Sequence, residues 1–328
     1  MRNLLYLLLL LLSANVMAQS SKQEPKMKFG DTSRLGRPFS KDPHVVNFKG
    51  RYLMYYSTPP NDKFKGWGIG IAESHNLTSW KPIDHIAAEY DYEAKGLCAP
   101  GALVRNDTVH LFYQTYGNWE KDAICHAWSV DGVHFQKNAT NPIFRPQGSW
   151  TVGRAIDAEV GMFKGKFYLY FATRDTTMTT QMQGVAVAKG QSFDRDQWIQ
   201  QGDGPVLAHK YPWEGECVEG ASVITRGDEM YMFYAGAYNN QPQQVGLAKS
   251  KDGVHWERLS NKPFLENGDP GSWNSSESGH PHIFKDNDGK TYLFFQGNND
   301  NGHTWMISKK EVLWNADGPY FKDNDCPK

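Results

Sequence analysis

Cysteine is scarce in this chain. There are four in 328 residues, Cys98, Cys125, Cys217 and Cys326. Four is too few for a disulfide scaffold, and their spacing matches no zinc-ligand pattern. They read as small buried core residues. An oxidising compartment would permit a disulfide, but no pairing can be assigned. Excess charge is also missing: 35 Lys and Arg stand against 36 Asp and Glu. Nothing therefore suggests a nucleic-acid or anionic-membrane partner. Helical periodicity is nearly absent. Long apolar runs are absent beyond the first residues, so no later segment could insert into a bilayer.

The one apolar run is N-terminal. Arg2, then Leu4 to Leu12, then Val16-Met17-Ala18 have the pattern of a signal peptide over residues 1–18. The expected mature chain starts near Gln19 and is periplasmic or secreted. No Cys follows the apolar core, which disfavours a lipid anchor. Residues 19–37 read as a polar N-terminal extension, loose to about residue 35. Residues 38–328 read as one domain.

What the chain has in quantity is aromatic residues, with eleven Trp, sixteen Tyr and seventeen Phe. Many fall in a recurring run: RYLMYY at 51–56, TVHLFY at 108–113, KFYLYF at 166–171, EMYMFY at 229–234 and KTYLFF at 290–295. The second residues of these runs are 52, 109, 167, 230 and 291, so the spacings are 57, 58, 63 and 61. So regular a period marks one supersecondary unit used five times. In the first copy, strands are expected at 43–48, 52–57 and 68–73, and near Trp80. These segments are short, aromatic or β-branched, and bounded by turn residues. Residues 129–135 (SVDGVHF) match 250–256 (SKDGVHW), and 74–80 and 192–198 are looser versions. Asp-Gly suits the positive φ of a tight turn. The closing aromatic is expected to pack against the next repeat, and His134 and His255 are then outer-turn residues. Five four-stranded repeats without helices predict an all-β fold, a five-bladed β-propeller. A pair of β-sandwiches would not require a single period.

About ten residues upstream of three of these runs stand Asp42, Asp157 and Glu219. In a propeller, first strands line the central channel, so acids at one register would converge on the axis. The second and fifth copies have Ala99-Pro100 and Gly279-His280-Pro281 there, so the repeat itself does not demand acids. Three convergent carboxyls are a set that glycoside hydrolysis uses. One is a general base on water, one is a general acid on the leaving oxygen, and the third holds the acid's pKa high or orients the sugar. Glu216 is a rival to Glu219, three residues upstream; odd spacing on a strand would put the two on opposite faces, and Glu219 is preferred.

The first-strand segments SKDPHV (40–45), CAPG (98–101), AIDAEV (155–160), VEGA (218–221) and SGHPHIF (278–284) occur in that order. Together they resemble the five first-strand motifs of the five-bladed glycoside hydrolases of family 43 and the related family 117, over about residues 38–300. The resemblance implies Asp42 as base, Asp157 as pKa modulator, Glu219 as acid, and inversion of configuration. It also implies that His280 lies near the axis, where such histidines often stand beside a structural cation such as calcium. Hydrolysis itself requires no cofactor. Family 43 acts on arabinose- and xylose-containing polymers, family 117 on anhydro-galactose units. Two departures weaken a transfer of pentose specificity: Ala221 where Pro is usual, and Cys98 where an aromatic is common.

Candidate substrate-binding residues are His44, Trp67, Tyr116, Arg154, Arg174 and Gln296. Arginines suit carboxylates or sugar hydroxyls. Tyr116 and Gln296 end second strands. Trp119, Trp150, Trp213 and Trp273, like Trp67, lie in connections where a ring could stack on a sugar. His44 and His282 lie two residues past a first-strand candidate and share its face. The expected activity is exo-acting cleavage of a plant or algal oligosaccharide or polysaccharide. A glycoside phosphorylase, which needs no base, and a non-catalytic sugar-binding propeller are the alternatives.

Overall fold

The structure, a computed structural model, describes residues 27–322. The expected signal peptide and Cys326 lie outside the described residues.

Five four-stranded antiparallel sheets follow one another along the chain, each with its strands in sequence order. The first strands are Lys41–Phe48, Leu97–Arg105, Ile156–Phe163, Val218–Arg226 and Glu277–Lys285. Each packs against the first strands of both neighbouring blades, and the fifth returns to the first, so the ring is closed. This is the five-bladed propeller that the period predicts. The second strands, Arg51–Thr58, Thr108–Thr115, Lys166–Arg174, Glu229–Gly236 and Thr291–Asn298, carry the recurring aromatic runs. Successive side chains of a strand point to opposite faces, so one run feeds two cores. Leu53 and Tyr55 pack into the cluster shared with blade two, while Met54 and Tyr56 pack into the one shared with blade five. Five such clusters fill the five blade interfaces.

The segment expected to be loose is ordered from residue 27 onward. Met27 and Phe29 are buried. Phe29 pairs with Ile307 and Phe39 with Trp305 on blade five, and buried Asp31 accepts a 2.8 Å bond from the Tyr56 hydroxyl of blade one. Apolar Met27 and Phe29 outweigh the polar composition around them. Cys98, Cys125 and Cys217 are buried free thiols.

The Asp-Gly turns are structural. Asp131 Oδ1 accepts the Val133 and His134 amides, each at 2.8 Å. Gly132, at φ +76°, gives its carbonyl to the Tyr55 hydroxyl of blade one at 2.8 Å. A Cβ on Gly132 would lie 2.4 Å from Leu53 Cδ1. Gly253 and Tyr170 repeat the contact between blades four and three. The closing aromatics Phe135 and Trp256 pack edge-to-face with Tyr55 and Tyr170. They therefore pack on the preceding blade, not the next one as expected from sequence.

Blades two and four share a further device. Just before their first strands, Glu93 and Glu214 are fully buried. Glu93 pairs with Lys137 at 2.8 Å and accepts the Tyr113 hydroxyl at 2.6 Å. Glu214 pairs with Arg258 at 2.8 Å and accepts the Tyr234 hydroxyl at 2.7 Å. Removing one partner strands a buried charge, which costs about 3–5 kcal/mol. Lys137→Met is therefore expected to lose that much stability in chemical denaturation. A Glu93→Met/Lys137→Met double variant should recover a large part of it.

Candidate active site

Each first strand breaks register with its neighbour at the same place. The ladder skips between Lys41 and His44, Cys98 and Gly101, Ile156 and Glu159, Glu219 and Ser222, and Gly279 and His282. The extra residue of a bulge re-aims side chains. At each bulge one residue has positive φ: Asp42 (+53°), Ala99 (+46°), Asp157 (+54°), Gly220 (+56°) and His280 (+44°). The preceding blade holds the bulge in place. Gln296 Oε1 accepts the Asp42 amide at 2.9 Å, Ser57 Oγ the Ala99 amide at 2.8 Å, and Gln114 Oε1 the Asp157 amide at 2.6 Å.

The three acids therefore do not share one register, contrary to the expectation from sequence. Gly220 occupies the bulge position in blade four, and Glu219 stands one residue earlier, level with Lys41 and Cys98. Its side chain nevertheless lines the same pocket as Asp42, Asp157 and His280, together with Trp67, Tyr116, Arg154, Arg174 and others. The pocket has a volume of about 160 Å³, small against the ~300–1,000 Å³ usual for ligand sites.

His280 is wedged between two acids. Its Nε2 lies 3.5 Å from Asp42 Oδ1 and 3.4 Å from Asp157 Oδ1. Burial disfavours its charge, but the carboxylates outweigh burial and raise its pKa to about 9. It is thus an imidazolium at neutral pH. Burial also opposes ionisation of Asp42. The His280 cation, the Lys41 ammonium and a Ser57 hydrogen bond overcome that, and Asp42 titrates below the ordinary carboxylate range. Glu219 goes the other way. Burial first, then the Asp157 charge, raise its pKa, although His280, Gln243 and Lys41 pull against them. Asp157 Oδ2 is buried without a hydrogen-bond partner among the described residues.

Glu219 is held from both sides. Gln243 Nε2 donates to Oε1 at 2.7 Å, and Gln181 Nε2 donates to Oε2. Arg174 Nε, at 2.9 Å, and Arg154 Nη1, at 3.4 Å, both reach Gln181 Oε1. Arg154 also pairs with Asp122 at 3.2 Å. The two arginines thus orient Gln181, which orients Glu219.

Trp67, Tyr116, Arg154 and Arg174 line the pocket as expected, with Trp67 set edge-on to Tyr116 at 5.8 Å. His44 and Gln296 do not. Gln296 is fully buried, clamping the Asp42 amide and donating to Glu277 at 3.0 Å. His44 lies buried one layer further along the strand, against Glu159 and His282. Trp119 is exposed, and Trp150, Trp213 and Trp273 pack into blade interfaces. Glu216 sits before the strand with its side chain 65% exposed, near His209. The reading from sequence missed Lys41, Gln114, Gln181, Gln243, Tyr238 and Asn239. For four of them the signal is position: Lys41 and Gln114 flank the bulges, Gln181 opens a third strand and Gln243 immediately precedes one.

Compared with known proteins, residues 35–320 match the model of glycosyl hydrolases family 43. Two sucrose-6-phosphate hydrolases of Zymomonas mobilis subsp. mobilis are 33% identical over 108 residues, 29% of this chain and 21% of theirs. The match thus spans about a fifth of those relatives' length. Among solved structures, a thermostable family-43 glycoside hydrolase superposes with a TM-score of 0.69 at 21% identity, covering 88% of this chain and 95% of that one. An endo-1,4-beta-xylanase from Bacteroides thetaiotaomicron gives 0.68 at 20%, covering 86% and 94%. An alpha-L-arabinofuranosidase from Lactobacillus brevis gives 0.66 at 15%, covering 86% and 93%. At these identities the likeness shows the fold.

Proposed function

The chain belongs to glycosyl hydrolases family 43, enzymes of glycosidic-bond hydrolysis, and we propose that it acts with inversion on a terminal sugar of a plant or algal oligosaccharide. In this reading Asp42 takes a proton from water as the water oxygen attacks the anomeric carbon. The bond from that carbon to the leaving oxygen breaks, and Glu219 protonates the departing oxygen. Exchange with solvent then returns a proton to Glu219 and removes one from Asp42. Asp157 keeps Glu219 protonated between turnovers.

What carries the reading is that one pocket pushes the pKa values of two carboxyls in opposite directions. A cation at His280 keeps Asp42 ionised, while burial and Asp157 favour the protonated form of Glu219. Titratable groups pushed apart in this way divide base from acid. The small volume of the pocket supports exo action. An ionised base also favours hydrolysis over phosphorolysis, which needs none. Export to the periplasm or medium is part of the proposal and rests on the N-terminal segment.

A screen against plant and algal oligosaccharides, followed by NMR of the first product formed, tests this. The released sugar should carry the anomeric configuration opposite to the bond cleaved, without added phosphate. A retained configuration would overturn inversion, and sugar-1-phosphate formed only with phosphate would select a phosphorylase.

Asp157→Asn gives a pH test. With that charge gone, the folded-state pKa of Glu219 falls. The alkaline limb of kcat/KM, where Glu219 loses its proton, is then expected at lower pH than in the unaltered enzyme. An unmoved alkaline limb would deny Asp157 this role.

A further inference from the structure

Two residues past each bulge, the first strands place a second ring of side chains around the axis: His44, Gly101, Glu159, Ser222 and His282. Blade two contributes no side chain, because a Cβ on Gly101 would lie 2.1 Å from the Ala158 carbonyl oxygen. The other four are buried. None of them lines the pocket, and the hydrolytic scheme does not use them.

The chemistry of this ring is that of a metal site. One ligand atom each from His44, Glu159 and His282 lies within 4.8 Å of the others. His282 Nε2 is 3.0 Å from the Val45 carbonyl oxygen, the geometry of an N–H donor, which leaves Nδ1 as the lone-pair nitrogen. That Nδ1 faces Ser222 Oγ at 3.4 Å. His44 is tied to the Ala102 backbone, and its Nδ1 faces Glu159 Oε2 at 3.6 Å. Backbone bonds of this kind orient histidine ligands in metal sites. Glu159 Oε1 is engaged by the Val223 amide at 3.0 Å and Ser222 Oγ at 3.2 Å, which leaves Oε2 for the ring. Four bonds of ~2.0–2.1 Å in a tetrahedron set neighbouring donors ~3.4 Å apart; here Ser222 Oγ and His282 Nδ1 are 3.4 Å apart, and His44 Nδ1 and Glu159 Oε2 3.6 Å. No Lys or Arg among the described residues pairs with Glu159, so its Oε2 faces only the ring.

We infer that His44, Glu159 and His282 bind one divalent ion of the zinc class, with Ser222 or water as fourth donor. Two imidazoles and one carboxylate suit zinc, cobalt or nickel; calcium takes six to eight oxygens. This site is distinct from the position beside His280, whose Nε2 lies between Asp42 and Asp157. The ion would join blades one, three and five on the axis. That includes the closure between blades five and one, where it would add to the shared core cluster, the Gln296–Asp42 hydrogen bond and the 29–39 segment.

The test uses the untagged mature chain, stripped with a chelator and titrated with Zn(II), Co(II) or Ca(II). Expected are one bound zinc per chain by elemental analysis, a Tm that rises with Zn(II), and visible bands of tetrahedral Co(II). Glu159→Gln keeps the Oε1 contacts and removes the anionic ligand. It should bind zinc at least tenfold more weakly and remain folded. A His134→Ala/His255→Ala variant, altered only in exposed turns, should match the unaltered chain. The inference is overturned if the stripped chain takes up no metal and its Tm is unmoved. It is equally overturned if Glu159→Gln binds zinc as tightly as the unaltered chain, or if Ca(II) alone stabilises it. None of these outcomes depends on the hydrolytic reading, because none is read from activity.

Discussion

Replacing Glu219 by Gln is expected to lower kcat on an oligosaccharide by about 10²–10⁴-fold, the range that a positioned general acid supplies. The loss should depend on the leaving group. A sugar alkoxide is a poor leaving group and needs its proton in the transition state. A nitrophenolate does not, so the same variant should retain most of its kcat on an activated aryl glycoside. That contrast separates loss of an acid from collapse of the pocket. The side chain keeps its length, and Gln243 Nε2 also donates to the Ala237 carbonyl at 2.9 Å, so the surrounding amides have a second anchor. The alkaline limb of the pH profile should disappear on the aryl substrate, because the group whose deprotonation sets it is gone. Equal losses on both substrates would remove Glu219 from the acid's role.

Glu219 also shows where reading the sequence reached its limit. Three acids, Glu214, Glu216 and Glu219, fall within six residues. They separate by local structure: Glu214 is in a core ion pair, Glu216 is in water, and Glu219 is in the pocket. The period of the aromatic second strands was legible because alternation is a property of neighbouring residues. So was the convergence of Asp42, Asp157 and His280, because a closed ring brings equivalent first-strand positions to one axis. The bulge was not legible. It needs positive φ at Asp42, Ala99, Asp157 and His280, residues that do not announce it as glycine does. Only Gly220 carries that signal, and it marks the residue after the acid. The clamps on Glu219 were hidden for another reason. Gln181 opens the third strand of blade three and Gln243 immediately precedes that of blade four, and a polar side chain at a strand start reads as ordinary edge composition. Gln296 was placed on the right strand but with the wrong partner, since it serves the Asp42 backbone and not the ligand.

Asp42→Asn should be at least as damaging, by about 10²–10⁴-fold, and the loss should not depend on the leaving group. The reason is chemical. The water must lose its proton whatever departs from the other side of the sugar, so an aryl substrate offers no escape. The substitution is also mild structurally. Asn is, with Asp, among the non-glycine residues that best tolerate the left-handed backbone found at residue 42, so the bulge and the Gln296 clamp should persist and Tm should change little. The proposed base role further predicts how His280 acts. Asp42 is depressed in the folded enzyme by the His280 cation and Lys41, against burial; a depressed carboxyl stays ionised as pH falls until its folded pKa is reached. His280→Gln removes that cation, so the Asp42 pKa rises and the acid limb of kcat/KM is expected at higher pH. The same change removes one influence that lowers the Glu219 pKa, so the alkaline limb should move upward with it. A merely structural histidine would lower kcat or Tm without carrying both limbs in one direction, and that outcome would leave Asp42 without its counter-ion.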